Sequence, residues 1–243
     1  MCGSKRPQSN PSLNPKEPPI STILFALLAL SNAHAGVVGT PITTSAPEFT
    51  GRDKSTITKA ELSDVAMAHI DDQREAARAQ VEGYKSRYGD GISVLVSVYN
   101  ASGEPLVLHG MKLWYGHTDQ YTPPSRIENG QWGTVLYVHP AGEMLGTDGA
   151  LVYNIGGRSS RIDYLVAGWE VPYTNLFGNS NRTWCRVEDN DTEYSVTGWD
   201  THQSRIHDDG LLKQARESNA CNTTCSIGSG SSPALEVIVE RTR

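Results

Sequence analysis

The sequence lacks the motifs that identify the common enzyme classes. It has no G-x-S-x-G nucleophile motif, no H-E-x-x-H zinc motif, no Walker loop and no G-x-G-x-x-G turn. Its seven histidines are scattered, and no two lie four residues apart as metal ligands on a helix often do. The acidic run at residues 188–193 lacks the glycine and distal glutamate of a calcium loop. We therefore expect a non-enzymatic protein with no catalytic residues, no metal and no cofactor.

Basic charge and long apolar runs are also scarce. The chain carries 21 Lys and Arg against 27 Asp and Glu, a formal net charge of −6. Nucleic-acid binding needs a clustered basic surface, so we expect no nucleic-acid partner. The apolar run at residues 20–30 is too short to cross a bilayer as a helix.

That apolar run has the length of a signal-peptide core and precedes the cleavage-type triplet Ala33-His34-Ala35. We therefore predict a signal peptide over residues 1–35, cleaved after Ala35, and a secreted protein, extracellular or vacuolar. The alternative is a misassigned gene start, in which case the protein is cytoplasmic. A polar arm over residues 36–57 follows.

Only four cysteines are present, at positions 2, 185, 221 and 225. Cys2 would leave with the signal peptide, so one disulfide and one free thiol are expected in an oxidising compartment. The nearest pair, Cys221 and Cys225, is the predicted disulfide. Four N-x-S/T triplets predict glycosylation at Asn100, Asn181, Asn190 and Asn222, although asparagine is also common in turns.

The segment over residues 58–91 has the pattern of an amphipathic helix. Thr58 and Glu61 have the spacing of a capping box, apolar residues recur at helical spacing, and glycines at 89 and 91 supply a stop. Asp71-Asp72 or Gly83 are candidate breaks. We expect this helix to pack on a sheet, because its polar face mixes both signs of charge.

From residue 92 the apolar period changes to two, which is typical of strands. Strand-like runs are predicted at residues 92–99, 106–115, 131–139, 150–155, 162–170, 182–187 and 234–240. A short C-terminal helix is predicted over residues 208–218. This spacing of short strands predicts an antiparallel β-sandwich or barrel domain over residues 92–243.

All five tryptophans and all ten tyrosines lie between residues 84 and 199. Several stand where predicted strands meet turns, and there aromatic rings can stack on sugars or enclose a cationic head group. The candidate ligand-binding residues are Trp114, Tyr115, Pro172, Tyr173, Phe177 and Trp184. Packing in the core is the alternative for each of them, and it is the expectation for Trp132, which begins a central strand. Phe177→Ala is predicted to weaken ligand binding by about 1–3 kcal/mol.

Three segments together resemble the plant 23 kDa jasmonate-induced proteins. They are residues 88–103 with Asn100-Ala101-Ser102-Gly103, the Trp114-Tyr115-Gly116-His117 run, and residues 129–133. Gly39-Thr40-Pro41-Ile42-Thr43 also matches, so the resemblance runs from about Gly36 to the C-terminus. It implies a stress- or defence-type protein.

A more distant resemblance is to the actinoporins, pore-forming cytolysins whose β-sandwich is flanked by helices. Their Asn-x-Ser-Gly turn is similar to residues 100–103, and their head-group segment is similar to residues 171–177. This resemblance implies head-group contact by Pro172 and Phe177 and an actinoporin- or lectin-like sandwich. The later tyrosine cluster of actinoporins has no aromatic counterpart in residues 205–218.

The sequence thus predicts a jasmonate- or stress-induced plant protein that binds a carbohydrate or a lipid head group through strand-end aromatics. Peripheral membrane contact is compatible with this prediction, and no oligomeric state is predicted. A membrane-permeabilising toxin is one alternative, and a structural or storage-type stress protein without a ligand is another.

Overall fold

A computed structural model describes residues 36–140, 142–156, 163–174, 180–188, 196–218 and 220–242. The described residues form one compact unit. Its helices are α1 (Lys59–Ala68), α2 (Arg74–Tyr88) and α3 (Val196–Asp209), with 3-10 turns at Pro47–Phe49 and Lys54–Thr56. Of the helices described, none is long and apolar enough to span a bilayer.

Twelve strands are described, and they form two sheets. They are β1 (Val37–Val38), β2 (Ser93–Ala101), β3 (Leu106–Tyr115), β4 (His117–Thr118), β5 (Arg126–Ile127), β6 (Trp132–Val138), β7 (Thr147–Ile155), β8 (Asp163–Val171), β9 (Arg182–Glu188), β10 (Lys213–Arg216), β11 (Cys221–Ile227) and β12 (Ala234–Arg241). The first sheet has the order β1-β6-β2-β12-β11-β10, with β4 also paired to β6. The second has the order β5-β3-β7-β8-β9. All of these strand pairs are antiparallel except β2 with β12, which are parallel.

The hydrophobic core lies between the two sheets, so the predicted, mainly β sandwich is confirmed. Alternate residues of facing strands fill it, among them Val96 and Val98 of β2, Leu151 and Tyr153 of β7, and Trp169 of β8. Each of the seven predicted strands is present, with bounds that shift by a few residues at most.

The predicted disulfide between Cys221 and Cys225 is wrong. The bridge joins Cys185 of β9 to Cys225 of β11, and Cys221 is a free, buried thiol. Cys221 and Cys225 lie on one strand, where four residues span about 13 Å, far beyond the reach of a disulfide. Burial raises the pKa of the Cys221 thiol to about 12.

The N-terminal helices cover the outer face of the first sheet. Thr58 caps α1: its hydroxyl accepts from the Glu61 amide, and Glu61 accepts from the Thr58 amide. The predicted helix divides at residues 69–73, around Asp71-Asp72, and continues through Gly83. Trp132 is buried beneath this layer and donates to the Ile70 carbonyl at 3.3 Å, which confirms its core position.

Helix α3 covers the outer face of the second sheet. The prediction of a helix over residues 208–218 is wrong. The helix ends at Asp209, and β10 follows. Ile206 packs over Gly168 of β8, where a Cβ would overlap the Ile206 side chain. Trp199, His202 and Ile206 face this sheet at helical spacing, which places the helix earlier in the chain than predicted.

Candidate functional site

Exposed hydrophobic side chains gather at one end of the sandwich. Six of them are 37–75% exposed and define what we call the apolar end: Tyr115, Met144, Leu145, Tyr173, Leu211 and Leu212. They stand where β3 ends, before β7, after β8 and before β10. The seventh exposed hydrophobic side chain in the described part of the chain, Met111, lies on β3 away from this end.

The strand register brings these separate segments together. Thr147 at the start of β7 pairs with Val171 at the end of β8, so Met144, Leu145 and Tyr173 lie next to the same strand ends. Leu211 bridges to Thr183 near the start of β9. The strand register therefore places the apolar end at the same end of four neighbouring strands of the second sheet, β3, β7, β8 and β9.

A polar row lies directly under the apolar end. Tyr115 pairs with Asp148, Asp148 with Glu170, and Glu170 with Arg182, across four neighbouring strands. Directly opposite residues in antiparallel strands project to the same face. We call these four residues the end row; their shared face is the one that α3 covers.

Two side chains and one carbonyl of helix α3 contact the end row. Gln203 Nε2 donates to Asp148 Oδ2 at 2.9 Å, and His207 Nε2 lies 3.1 Å from the same oxygen. Arg182 donates to the His207 carbonyl, and its Nε lies 3.9 Å from a Glu170 oxygen. The end row and His207 together combine two carboxylates, one guanidinium, one imidazole and one exposed phenol.

The carboxylates of the row are held in an unfavourable environment. Burial raises the pKa of Asp148, and the contacts with Gln203 and His207 only partly oppose that effect. Burial also raises the pKa of Glu170, while His207 and Arg182 lower it. Asp148 is only 3% exposed, and its Oδ1 has no hydrogen-bond partner within the described residues. A buried carboxylate oxygen without a donor is costly, so this atom favours any ligand that supplies one.

Of the predicted site residues, the fold brings Tyr115, Pro172 and Tyr173 to the apolar end. Pro172 is half-buried and precedes the exposed Tyr173. Phe177 lies outside the described residues, and its role remains a prediction.

The prediction that Trp184 binds ligand is wrong, since it is 2% exposed and packs under α3 against Ile206. Trp114 packs partly buried against the same cluster, and its role as a ligand contact remains a prediction.

Sequence reasoning missed the two apolar pairs of the apolar end and the acidic part of the row. Met144-Leu145 stands between glycines at 142 and 146, and Leu211-Leu212 follows Gly210. An apolar pair inside a glycine-flanked turn is a usable signal for an exposed hydrophobic site. Asp148 and Glu170 gave no such signal, because only strand pairing brings them together.

Two of the predicted glycosylation sites are excluded by burial. The Asn100 side chain is fully buried and donates to the Glu104 and Ile127 carbonyls. Asn181 is 3% exposed and donates to the carbonyls of Gly228 and Gly230. Neither amide nitrogen can carry a glycan in this fold. Asn222 is half-buried, while Asn190 and the cleavage site at Ala35 lie outside the described residues.

Comparison with known proteins shows which family the chain belongs to. The family model described as Nakanori-like protein matches residues 37–242. The chain belongs to the Nakanori-like family. The 23 kDa jasmonate-induced protein of Hordeum vulgare is 41% identical over 170 residues, which cover 68% of this chain and 79% of the barley protein. The resemblance to jasmonate-induced proteins is thereby confirmed.

Solved structures of other proteins are similar to this chain to different degrees. The crystal structure of the lipid binding protein Nakanori matches with a TM-score of 0.75 at 23% identity, covering 84% of this chain and all (100%) of Nakanori. A mutated form of the Xerocomus chrysenteron lectin XCL matches with a TM-score of 0.40 at 13% identity, covering 61% of this chain and 97% of the lectin.

Proposed function

We propose that this protein is a non-enzymatic, jasmonate- or stress-responsive plant protein that binds lipid membranes peripherally through its apolar end. The observation that carries the proposal is the gathering of Tyr115, Met144, Leu145, Tyr173, Leu211 and Leu212 at one end of the sandwich. Contiguous exposed apolar surface on a soluble fold marks a protein or membrane interaction site. Nakanori is named a lipid binding protein and shares the fold, which supports the choice of a membrane.

The composition of the apolar end suits the boundary between lipid and water. Tyrosine places an apolar ring and a polar hydroxyl at that boundary, while leucine and methionine enter the acyl region. Fully burying one leucine or methionine contributes about 1.5–3 kcal/mol, so burying the exposed half of four such side chains supplies about 3–6 kcal/mol. A millimolar dissociation constant already requires about 4 kcal/mol. Tight binding therefore needs head-group contacts in addition to the apolar ones.

The net charge of the chain affects which type of membrane surface it can bind. With a net charge of −6, the protein has no overall attraction to an anionic surface. We therefore expect zwitterionic membranes to be bound at least as well as anionic ones. The predicted signal peptide over residues 1–35 belongs to this proposal, because a secreted protein would meet an extracellular or vacuolar membrane surface.

Vesicle co-sedimentation tests the proposal. The wild-type chain should sediment with vesicles of mixed phosphatidylcholine and phosphatidylethanolamine, and the double variant Met144→Asp/Leu145→Asp should bind at least tenfold more weakly. Met111→Asp is the matched control, since Met111 is also exposed but lies away from the apolar end. Equal binding by the wild type and the double variant would contradict the proposal. Dye release from the same vesicles separates simple binding from the permeabilising alternative.

A glycan is the second candidate ligand. Tyr115 and Tyr173 are each close to half exposed, and such rings can stack on a sugar. A glycan array probed with the wild type and with Tyr173→Ala would reveal this activity. A chain that binds neither vesicles nor glycans would favour the structural or storage role.

A further inference from the structure

We infer that the end row binds the primary ammonium group of an aminoalcohol lipid head group, with Asp148 and Glu170 as the charge partners. This inference rests on the proposed membrane-binding function and specifies its head-group chemistry. It concerns the Asp148 and Glu170 carboxylates below the apolar end, whereas the membrane proposal concerns the exposed apolar side chains.

The charges of the row favour a cation. Asp148 and Glu170 are direct cross-strand partners, so their carboxylates project side by side on one face. Among the described residues, Arg182 is the permanent cation that contacts Glu170, and the His207 imidazole contacts Asp148. The two carboxylates outnumber this one guanidinium, which leaves one carboxylate charge in the row without a permanent counter-charge. A ligand with one positive charge balances it, whereas a phosphate alone would be repelled.

The hydrogen-bonding capacity of Asp148 selects among cations. Its Oδ2 already has partners in Gln203 and His207, but its Oδ1 is buried and has none within the described residues. A primary ammonium carries three N–H donors and can satisfy this oxygen. A quaternary ammonium such as choline has no N–H group and would leave the same oxygen unpaired. Binding choline would leave the buried Asp148 Oδ1 without a hydrogen-bond donor, which costs free energy. The row therefore favours ethanolamine-type head groups over choline.

Two partly exposed rings, Tyr115 and His207, lie next to the carboxylates of the row. Tyr115 is 46% exposed and is the cross-strand partner of Asp148, so its ring can contact the cation from the membrane side. The His207 side chain is 40% exposed and lies over Asp148. Because Oδ1 is closed to solvent, a ligand reaches it only if a neighbouring side chain moves, and the partly exposed His207 ring, which contacts Oδ2, is the candidate for that movement.

Calorimetry with soluble head groups tests the inference on the full chain. Phosphoethanolamine should bind at least tenfold more tightly than phosphocholine or inorganic phosphate. Asp148→Asn, which keeps the shape of the side chain, should lower the affinity for phosphoethanolamine at least tenfold. Asp90→Asn is the control, because Asp90 is an exposed carboxylate in the turn before β2 and lies outside the row.

Three results would overturn the inference. They are equal binding of phosphocholine and phosphoethanolamine, unchanged affinity of Asp148→Asn, and equal binding of glucosamine, which would assign the amine to a sugar instead of a lipid. The comparison of probes uses the wild type, so it stands even if Asp148→Asn does not fold.

Failure of this inference is distinguishable from failure of the membrane proposal. Vesicle binding that depends on Met144 and Leu145 but ignores the head-group amine would overturn the inference alone. Loss of vesicle binding altogether, with phosphoethanolamine still preferred in solution, would overturn the membrane proposal alone.

Discussion

Cys185 of β9 and Cys225 of β11 form a disulfide that joins the two sheets of the sandwich through the hydrophobic core. Strand β9 is an edge strand of the second sheet, and β11 is the next-to-last strand of the first sheet. The bridge therefore ties the sheets together near their margins, where fewer strands hold them.

Removing this disulfide is expected to destabilise the protein considerably. The two cysteines are 40 residues apart, and a loop of that length constrains the unfolded chain by about 4 kcal/mol. Cys185→Ala/Cys225→Ala should therefore lose about that much free energy of unfolding in urea titrations. Cys221→Ala, which removes the free thiol, should keep the bridge. A disulfide-linked peptide joining Cys221 to Cys225 in a non-reducing digest would contradict the assignment.

Two buried tryptophans should affect stability more than binding. Trp132→Ala and Trp184→Ala are each expected to cost about 3–5 kcal/mol of folding free energy, as large-to-small core substitutions do. Both side chains are at most 2% exposed. Tyr173→Ala, at the apolar end, should change stability by less than about 0.5 kcal/mol while weakening vesicle binding. A stable Trp184→Ala variant with impaired vesicle binding would restore Trp184 as a ligand residue.

The capping box predicts a pH dependence with a defined sign. Hydrogen bonds from Arg52, at 2.6 Å, and from the Thr58 amide lower the pKa of Glu61 to about 2 from its ordinary value of 4.5. Because the folded state holds the carboxylate ionised, its contribution is complete above pH 4.5 and is lost as the pH falls towards 2. The difference in melting temperature between the wild type and Glu61→Gln should therefore be constant near neutrality and shrink over that acidic range. A difference that does not vary with pH would show that ionisation of Glu61 is irrelevant.

Glycan occupancy should follow side-chain exposure. When the chain is expressed through a eukaryotic secretory pathway, mass spectrometry of its peptides should find no sugar on Asn100 or Asn181. Both are buried, and their amide nitrogens are engaged in hydrogen bonds. Any glycan should reside on Asn222 or Asn190, and Asn222→Gln should remove the part carried by Asn222. Sugar on Asn100 of the folded protein would contradict the burial of that turn.

Much of the secondary structure followed from the sequence because its signals are local. Alternation with a period of two marked β2 and β3, and the Thr58–Glu61 spacing marked the start of α1. Two further signals were present but were not used. Cys221, Thr223, Cys225 and Ile227 alternate as the buried residues of β11, and Trp199, His202 and Ile206 have the spacing of α3.

The sequence by itself determined the period of each strand, the helix cap, the acidic charge and the resemblance that led to the family. Only the tertiary structure decided which cysteines pair, which tryptophan is buried, and that Tyr115, Asp148, Glu170 and Arg182 form one row. The physical reason is the range of each interaction. Periodicity and capping act over a few neighbouring residues, whereas the row and the bridge depend on strands that the chain brings together from distant positions.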